Sequence, residues 1–387
     1  MSGYTFHAPK TLVVEAGATA RIGEIAGQLV GQLAASSVLL VSDRGVQRAG
    51  LLDAPLQHLR QTGMRVATFL DVEADPSAAT VEAAAASARA CQADCVIAIG
   101  GGSPMDVAKL AALLARGKES LDAIYGVGLA RGPRLPLILA PTTAGTGSEA
   151  TPISIVTTGE GTKRGVVSDV LLPDIAVLDA SVTPGLPKHV SAATGIDAMV
   201  HAIEAYTSRR LKNPISDALA REALRLLSLN LERVCAHGQD LAAREAMLLG
   251  ANLAGMAFAN APVAAVHALA YPVGARFHVP HGLSNSLVLP AVMRFNLSHA
   301  APLYAQLASI VLPAVAGSDT VRATAFVDWL SGLAPRLGLP VRLAEVGIAR
   351  DDLAMLASDA MEQTRLLVNN PREVTRDDAL AIYAEVL

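Results

Sequence analysis

The feature that most constrains this chain is a change of rhythm near residue 188. Before it, short apolar runs alternate with alanine-rich helical stretches; after it, strand signals vanish and long amphipathic helical patterns run to the end. SSVLLVSD (36–43), RVATFLD (65–71), CVIAIG (95–100), LPLILAPTT (135–143) and DIAVLDA (174–180) read as strands, with helices such as TVEAAAASARA between them. A βαβα succession predicts a parallel sheet covered by helices. Pro184 and Pro187 mark the change of character. At 387 residues the chain exceeds the size at which a single core keeps growing. Two domains are therefore expected, an α/β domain over residues 1–188 and an all-α domain over residues 189–387.

Composition narrows the function classes. With 31 basic and 35 acidic residues the formal net charge is -4, and no run of like charge is long enough to attract nucleic acid or anionic lipid. The three cysteines, Cys91, Cys95 and Cys235, are odd in number and lack CxxC spacing, which fits a reducing compartment better than a disulfide framework. MSGYTFHAPKTLVVEAG lacks a basic segment followed by an apolar run, so no secretory signal is read and a cytoplasmic location is expected. From Ala246 to Ala275 there is no Asp, Glu, Lys or Arg, a length that could cross a bilayer. Asn252, Asn260, Pro262, His267 and Pro272 interrupt it, and a buried helical core is the expectation.

Two glycine loops follow strands. GGGSPMDVAK, Gly100 to Lys109, leaves the strand CVIAIG and opens a helix. Consecutive glycines let backbone approach a pyrophosphate while free amides at the helix start point toward it. PTTAGTGSEAT, Pro141 to Thr151, follows LPLILA and could line the other side of the same dinucleotide. Neither loop matches GxGxxG or the Walker pattern, so a different nucleotide fold is needed. Asp43, at the end of VLLVS, is placed to accept hydrogen bonds from an adenosine ribose, or to act only as an Asx turn.

The second half carries metal-ligand chemistry. In GIDAMVHAIEAY (195–206), Asp197 and His201 are four apart and share one helical face. In AVHALAYPVGARFHVPHG (265–282), His267 and His281 are separated by Pro272, Gly274 and Pro280, which are expected to interrupt any single helix and fold the chain back. His278 is a further imidazole that spacing does not exclude. One carboxylate with imidazoles and no thiolate suits Fe(II), Zn(II), Mn(II) or Co(II) and argues against a structural all-thiolate zinc site. Glu204, seven positions after Asp197, reads as a solvated or salt-bridged helix residue, or as support for the ligands.

In order, GGGSPMDVAK, PTTAGTGSE, ATGIDAMVHAIEAY, AGMAFANA, PHGLSN and NNPR (369–372) span nearly the whole chain. With them the sequence resembles the iron-containing, or group III, alcohol dehydrogenases, whose fold is shared with glycerol dehydrogenase and dehydroquinate synthase. The resemblance implies a dinucleotide-binding α/β domain and a metal-binding helical domain. It implies metal ligands at Asp197, His201, His267 and His281, and dinucleotide contacts at Asp43, Gly100, Gly101, Gly102, Ser103, Pro104, Thr142, Thr143, Thr146 and Lys163. Asp106 and Lys109 match the first motif but also read as charges of a helix start.

Three departures stand out. Tyr271 occupies the place of a second histidine in a pattern usually HxxxHP, Asp75 replaces an asparagine common in NPT-type loops, and APV (261–263) replaces a glycine-containing turn. The implied function is an NAD(P)-linked, metal-dependent alcohol dehydrogenase or aldehyde reductase, with hydride passing between a metal-bound alkoxide and nicotinamide. His267 and Tyr271 are the implied catalytic residues. The implied cofactors are NAD, or NADP, with Fe(II), or Zn(II), and the implied partners are a small alcohol or aldehyde and a second copy in a homodimer. A branch resembling hydroxyacid-oxoacid transhydrogenases also carries Tyr before Pro, so a hydroxyacid dehydrogenase or such a transhydrogenase is the alternative within enzymes, beside maleylacetate reductase and a dehydroquinate-synthase-like cyclase. From another class, a non-catalytic nucleotide- and metal-binding protein is the rival.

Overall fold

The computed structural model describes residues 3–31, 36–159 and 162–387. The chain forms two compact units, His7–Gly185 and Leu186–Leu387, the second joined by the stretch ending at Phe6. The division falls just ahead of the expected residue 188, because Pro184 and Gly185 turn the chain before the first helix of the second unit begins at Lys188.

Among the described residues of the first unit the strands are β1 (Thr11–Val14), β2 (Ser37–Val41), β3 (Arg65–Phe69), β4 (Cys95–Gly100), β5 (Gly126–Val127), β6 (Leu137–Pro141), β7 (Ile153–Thr158), β8 (Thr162–Val167) and β9 (Ile175–Leu178). Six of them make one sheet in the order β1-β9-β6-β4-β2-β3, and every neighbouring pair is parallel. The helices are α1 (Ile22–Val30), α2 (Arg44–Arg48), α3 (Asp53–Gln61), α4 (Ala78–Ala90), α5 (Gly102–Arg116) and α6 (Leu121–Ile124).

The central strands are apolar at every position because both faces of the sheet are covered. Val38, Leu40, Ile97, Ile99 and Ile138 pack into one layer, and Leu39, Val41, Val96, Ala98, Leu137 and Leu139 into the other with α4 and α5. All five expected strands form. Sequence reading missed β1 and the small sheet β5-β8-β7, whose β8 segment, TKRGVV, is half polar and short of the apolar signal that marks a covered strand.

The second unit is helical: α7 (Lys188–Thr207), α8 (Pro214–Ala236), α9 (Leu241–Asn260), α10 (Ala265–Phe277), α11 (His281–Val311) and shorter helices after them. Helix starts follow local chemistry. Asn213 caps α8 through a bond from the Ser216 amide, with Pro214 at the first helical position. Helix α7 is buried on nearly every side from Ser191 to Thr207. Gly195 allows this, since a Cβ there would lie 2.4 Å from Leu231 and 2.9 Å from Met247.

Pro272 and Gly274 do not break the chain as expected; both lie inside α10. Burial of that turn outweighs the local penalty of proline, and the reversal comes instead at His278, whose φ of 55° ends the helix, with Pro280 leading into α11. Among the described residues no single helix is long and apolar enough to cross a membrane, and the uncharged α9–α10 pair is bent by 106°.

Candidate metal centre and nucleotide loops

Three helices bring the metal-ligand candidates together. Asp197 and His201 stand one turn apart on α7, His267 comes from the first turn of α10, and His281 opens α11. Their ligating atoms all lie within 4.8 Å of one another. Asp197 Oδ1 is 3.9 Å from Nε2 of His201, 3.8 Å from that of His267 and 3.6 Å from that of His281. Bonds of about 2.0–2.2 Å to a tetrahedral ion set donor separations near 3.3–3.6 Å, close to the separations that Asp197 Oδ1 keeps from the three imidazoles. A buried carboxylate facing imidazole lone pairs is an arrangement that a divalent cation satisfies. His278 is exposed and lies outside the group, which resolves the alternative that spacing left open.

Close approach of α11 to α7 depends on Gly282. A Cβ there would meet the Ala193 carbonyl oxygen at 2.5 Å. One turn later Asn285 Nδ2 donates to Asp197 Oδ1 at 2.6 Å and lies 3.4 and 3.3 Å from Nε2 of His267 and His281. Asn285 closes the PHGLSN motif, and its i, i+4 relation to His281 is the one sequence signal that points it to the site. Burial would raise the Asp197 carboxyl, but the imidazoles of His201, His281 and His267, with Asn285, outweigh it and hold the group below its ordinary value.

Glu204 is neither solvated nor salt-bridged to a cation. It is buried, and its carboxylate accepts from the amides of Ala264 (3.0 Å) and Val266 (2.7 Å) and meets His267 Nδ1 at 2.6 Å. Burial pushes Glu204 up to about 7 against those amides. Burial also holds His267 well below its ordinary value, so the ring is neutral. With Nδ1–H donated to Glu204, the Nε2 lone pair is left for the ligand cage.

The APV turn is therefore tied to the site. Val263 also accepts from Asn369 Nδ2 at 3.0 Å. In NNPR, Asn370 exchanges amide bonds with Asn296 at 2.8 and 3.0 Å, and Arg372 lies over the Phe295 ring. Asn369 thus braces the turn, while Asn370 and Arg372 hold the NNPR segment against α11. Tyr271, half-buried one turn after His267, has its ring centre 5.8 Å from that of His281 and 6.4 Å from that of His267.

In the sheet unit, the Gly100↔Pro141 register sets the two glycine loops side by side at the carboxyl ends of β4 and β6. Thr142 donates its amide to the Gly100 carbonyl at 2.9 Å. A Cβ on Gly102 would lie 2.9 Å from Thr146 Cγ2, and one on Gly101 would be 3.6 Å from Thr143 Oγ1. Gly101 to Pro104 thus present the N-terminus of α5 beside Thr142, Thr143 and Thr146. Its unpaired amides and dipole suit a phosphate.

Asp106 and Lys109 are not surface charges of a helix start. Lys109 has no exposure and donates to Ser148 Oγ (2.8 Å), Thr151 Oγ1 (3.3 Å) and the Ile153 carbonyl (2.6 Å). Asp106 accepts from Ser148 Oγ at 2.6 Å and from the Ile155 amide at 2.9 Å. The pair bolts α5 to the second loop.

The remaining nucleotide candidates divide. Asp43 caps α2, with Oδ1 accepting the amides of Gly45 (2.7 Å) and Val46 (2.9 Å), so the turn-capping role is present and Oδ2 stays available for a ribose. Lys163, on β8, pairs with Asp75 Oδ1 at 2.7 Å. Asp75 has a left-handed φ of 54°, a conformation Asn and Asp tolerate better than most residues.

Comparison with known proteins decides the family. Residues 9–180 match the family model for iron-containing alcohol dehydrogenase, and residues 191–387 match that for the C-terminal part of the Fe-containing alcohol dehydrogenase family. The chain belongs to the iron-containing alcohol dehydrogenase family. It is an oxidoreductase of the alcohol dehydrogenase and aldehyde reductase class. A similar relative is long-chain-alcohol dehydrogenase 1 of Geobacillus thermodenitrificans (strain NG80-2), 41% identical over 92% of this chain and 90% of that protein. The fold superposes on a crystal structure of 1,3-propanediol oxidoreductase with a TM-score of 0.95, 33% identity and full coverage of both chains. It also superposes on sulfoacetaldehyde reductase from Bifidobacterium kashiwanohense in complex with NAD+, with a TM-score of 0.88 and 28% identity over 100% of this chain and 99% of that one.

Proposed function

We propose that this protein oxidises a small primary alcohol to its aldehyde with reduction of NAD+ to NADH and release of a proton, or runs the reverse reduction. The convergence of Asp197, His201, His267 and His281 within 4.8 Å carries the reading. These four residues would hold Fe(II), or Zn(II) in its place. When bound, such an ion supplies Lewis acidity toward the substrate oxygen. Asp197 brings the negative charge that favours a divalent cation over water, and Glu204 keeps the His267 lone pair pointed into the cage.

In the sheet unit the amides opening α5 and the hydroxyls of Thr142, Thr143 and Thr146 would bind the dinucleotide phosphates, with Gly100 and Ser103 shaping the turn. Asp43 Oδ2 would accept from the adenosine ribose, which supports NAD over NADP because a carboxylate repels a 2′-phosphate. Lys163 would contact the nucleotide from β8. Tyr271, whose ring lies beside those of His281 and His267, would face a substrate oxygen held at the cage. Cytoplasmic placement is supported by three cysteines that form no disulfide. Dimer formation is supported by edge strand β1, where Leu12 and Val14 are exposed.

Anaerobic metal analysis followed by a panel of alcohols, aldehydes and hydroxyacids, read by nicotinamide absorbance, tests the reading. Stoichiometric metal with turnover of an alcohol–aldehyde pair is expected. Turnover only when a hydroxyacid and an oxoacid are supplied together, with a catalytic amount of nucleotide, would favour the transhydrogenase reading that Tyr271 suggests. His267→Ala should lose both metal and nearly all turnover while staying folded.

A further inference from the structure

Strands β2 and β3 are parallel neighbours in register from Ser37↔Arg65 to Val41↔Phe69. Their carboxyl ends therefore deliver Asp43 and Asp71 side by side, paired as an isolated bridge. Arg44, the first residue of α2, stands between them in charge. Its Nε and Nη2 both donate to Asp71 Oδ1, at 3.0 and 2.8 Å, and its Nη1 donates to Gln47 Oε1 at 3.1 Å.

An arginine directly after the ribose-binding carboxylate is the side chain that would recognise an adenosine 2′-phosphate, because its planar fork binds phosphate oxygens in pairs. Here three of the guanidinium nitrogens already have acceptors, and its charge is offset by a second carboxylate. We infer that Asp71 is a specificity-determining residue: it occupies Arg44 and thereby excludes nucleotides bearing a 2′-phosphate. This rests on the nucleotide reading of the sheet unit. Asp43 repels the 2′-phosphate directly, while Asp71 withholds Arg44, the arginine that opens α2; Arg48, the last residue of that helix, lies a full turn further on. Both effects act at one sugar position, so the rest of the dinucleotide site is untouched.

Calorimetric titration of the full-length protein with ADP and with adenosine 2′,5′-bisphosphate tests the inference without relying on turnover. Asp71→Ala, at an exposed position, should tighten adenosine 2′,5′-bisphosphate by about fivefold, the upper end for an ion pair at a solvated site. ADP affinity should move by less than about threefold, since ADP offers no 2′-phosphate to the freed guanidinium. The gain should disappear in Arg44→Ala/Asp71→Ala, and the kcat/KM ratio of NADP to NAD should rise in Asp71→Ala by the same factor as the binding ratio. Unchanged bisphosphate affinity with ADP still bound would overturn the role of Asp71. A gain that survives loss of Arg44 would overturn it as well, because simple removal of negative charge would then explain the result. Failure of the wild type to bind either ligand would instead overturn the nucleotide reading on which the inference stands.

Discussion

Glu204 Oε2 and His267 Nδ1 lie 2.6 Å apart with both side chains buried, and the same carboxylate holds the backbone of Ala264 and Val266. One acid thus orients the candidate ligand and fixes the turn that carries it. Glu204→Gln removes the negative charge while keeping the shape. Metal affinity, measured by chelator competition, should fall about 10–100-fold, while ADP binding in the other unit stays the same. Unaltered metal affinity would show that the contact serves the fold alone.

Tyr271 is close enough to His281 and His267 to touch a substrate held at the cage. Tyr271→Phe keeps the ring and removes the hydroxyl. If that hydroxyl donates to a polar or carboxylate substrate, kcat/KM for such a substrate should drop by the equivalent of about 1–3 kcal/mol, with little change for a simple alkanol. Equal rates for both substrate types in wild type and variant would make Tyr271 a packing residue.

Buried Lys109 and half-buried Asp106, 3.6 Å apart, predict a non-additive double-mutant cycle. Lys109→Met leaves the half-buried Asp106 carboxylate beside an apolar chain and should cost about 2–4 kcal/mol in denaturant unfolding. Adding Asp106→Leu should recover part of that loss, since the uncompensated charge is then gone. Additive losses would mean that the two charges do not depend on each other.

Acid stability should depend on Asp179, which caps the end of β9 and accepts from the Gly17, Thr19 and Ser181 amides at 2.8, 2.9 and 2.9 Å. Burial would raise this carboxyl, but the Ser181 and Thr19 hydroxyls and the amides outweigh it and hold the group below its ordinary value. A carboxylate depressed in the folded state stabilises it fully above the unfolded value of about 3.9 and loses that stabilisation as pH falls through the folded value. Asp179→Ala should therefore be less stable than wild type by about 1–3 kcal/mol at pH 7. The gap should narrow below about pH 4. A gap independent of pH would assign the loss to packing.

Periodicity and local chemistry were enough to expect much of this protein. Fully apolar runs identified β2, β4, β6 and β9 because both sheet faces are covered, and the four-residue spacing of Asp197 and His201 placed them on one helical face. The ordered glycine and histidine motifs carried the family. Tertiary structure decided the rest, for reasons no local pattern contains. His278 and His281 are equivalent by spacing, and only the left-handed end of α10 leaves one outside the cage. Glu204 and Lys109 carry charges that read as exposed, yet α7 is enclosed on nearly all sides and α5 is capped by the second glycine loop, so both are buried against partners 60 and 39 residues away. Asp71 has no motif at all. Its hold on Arg44 exists because β2 and β3 run parallel in one register, and the juxtaposition of two strand ends is a property of the sheet and not of either segment.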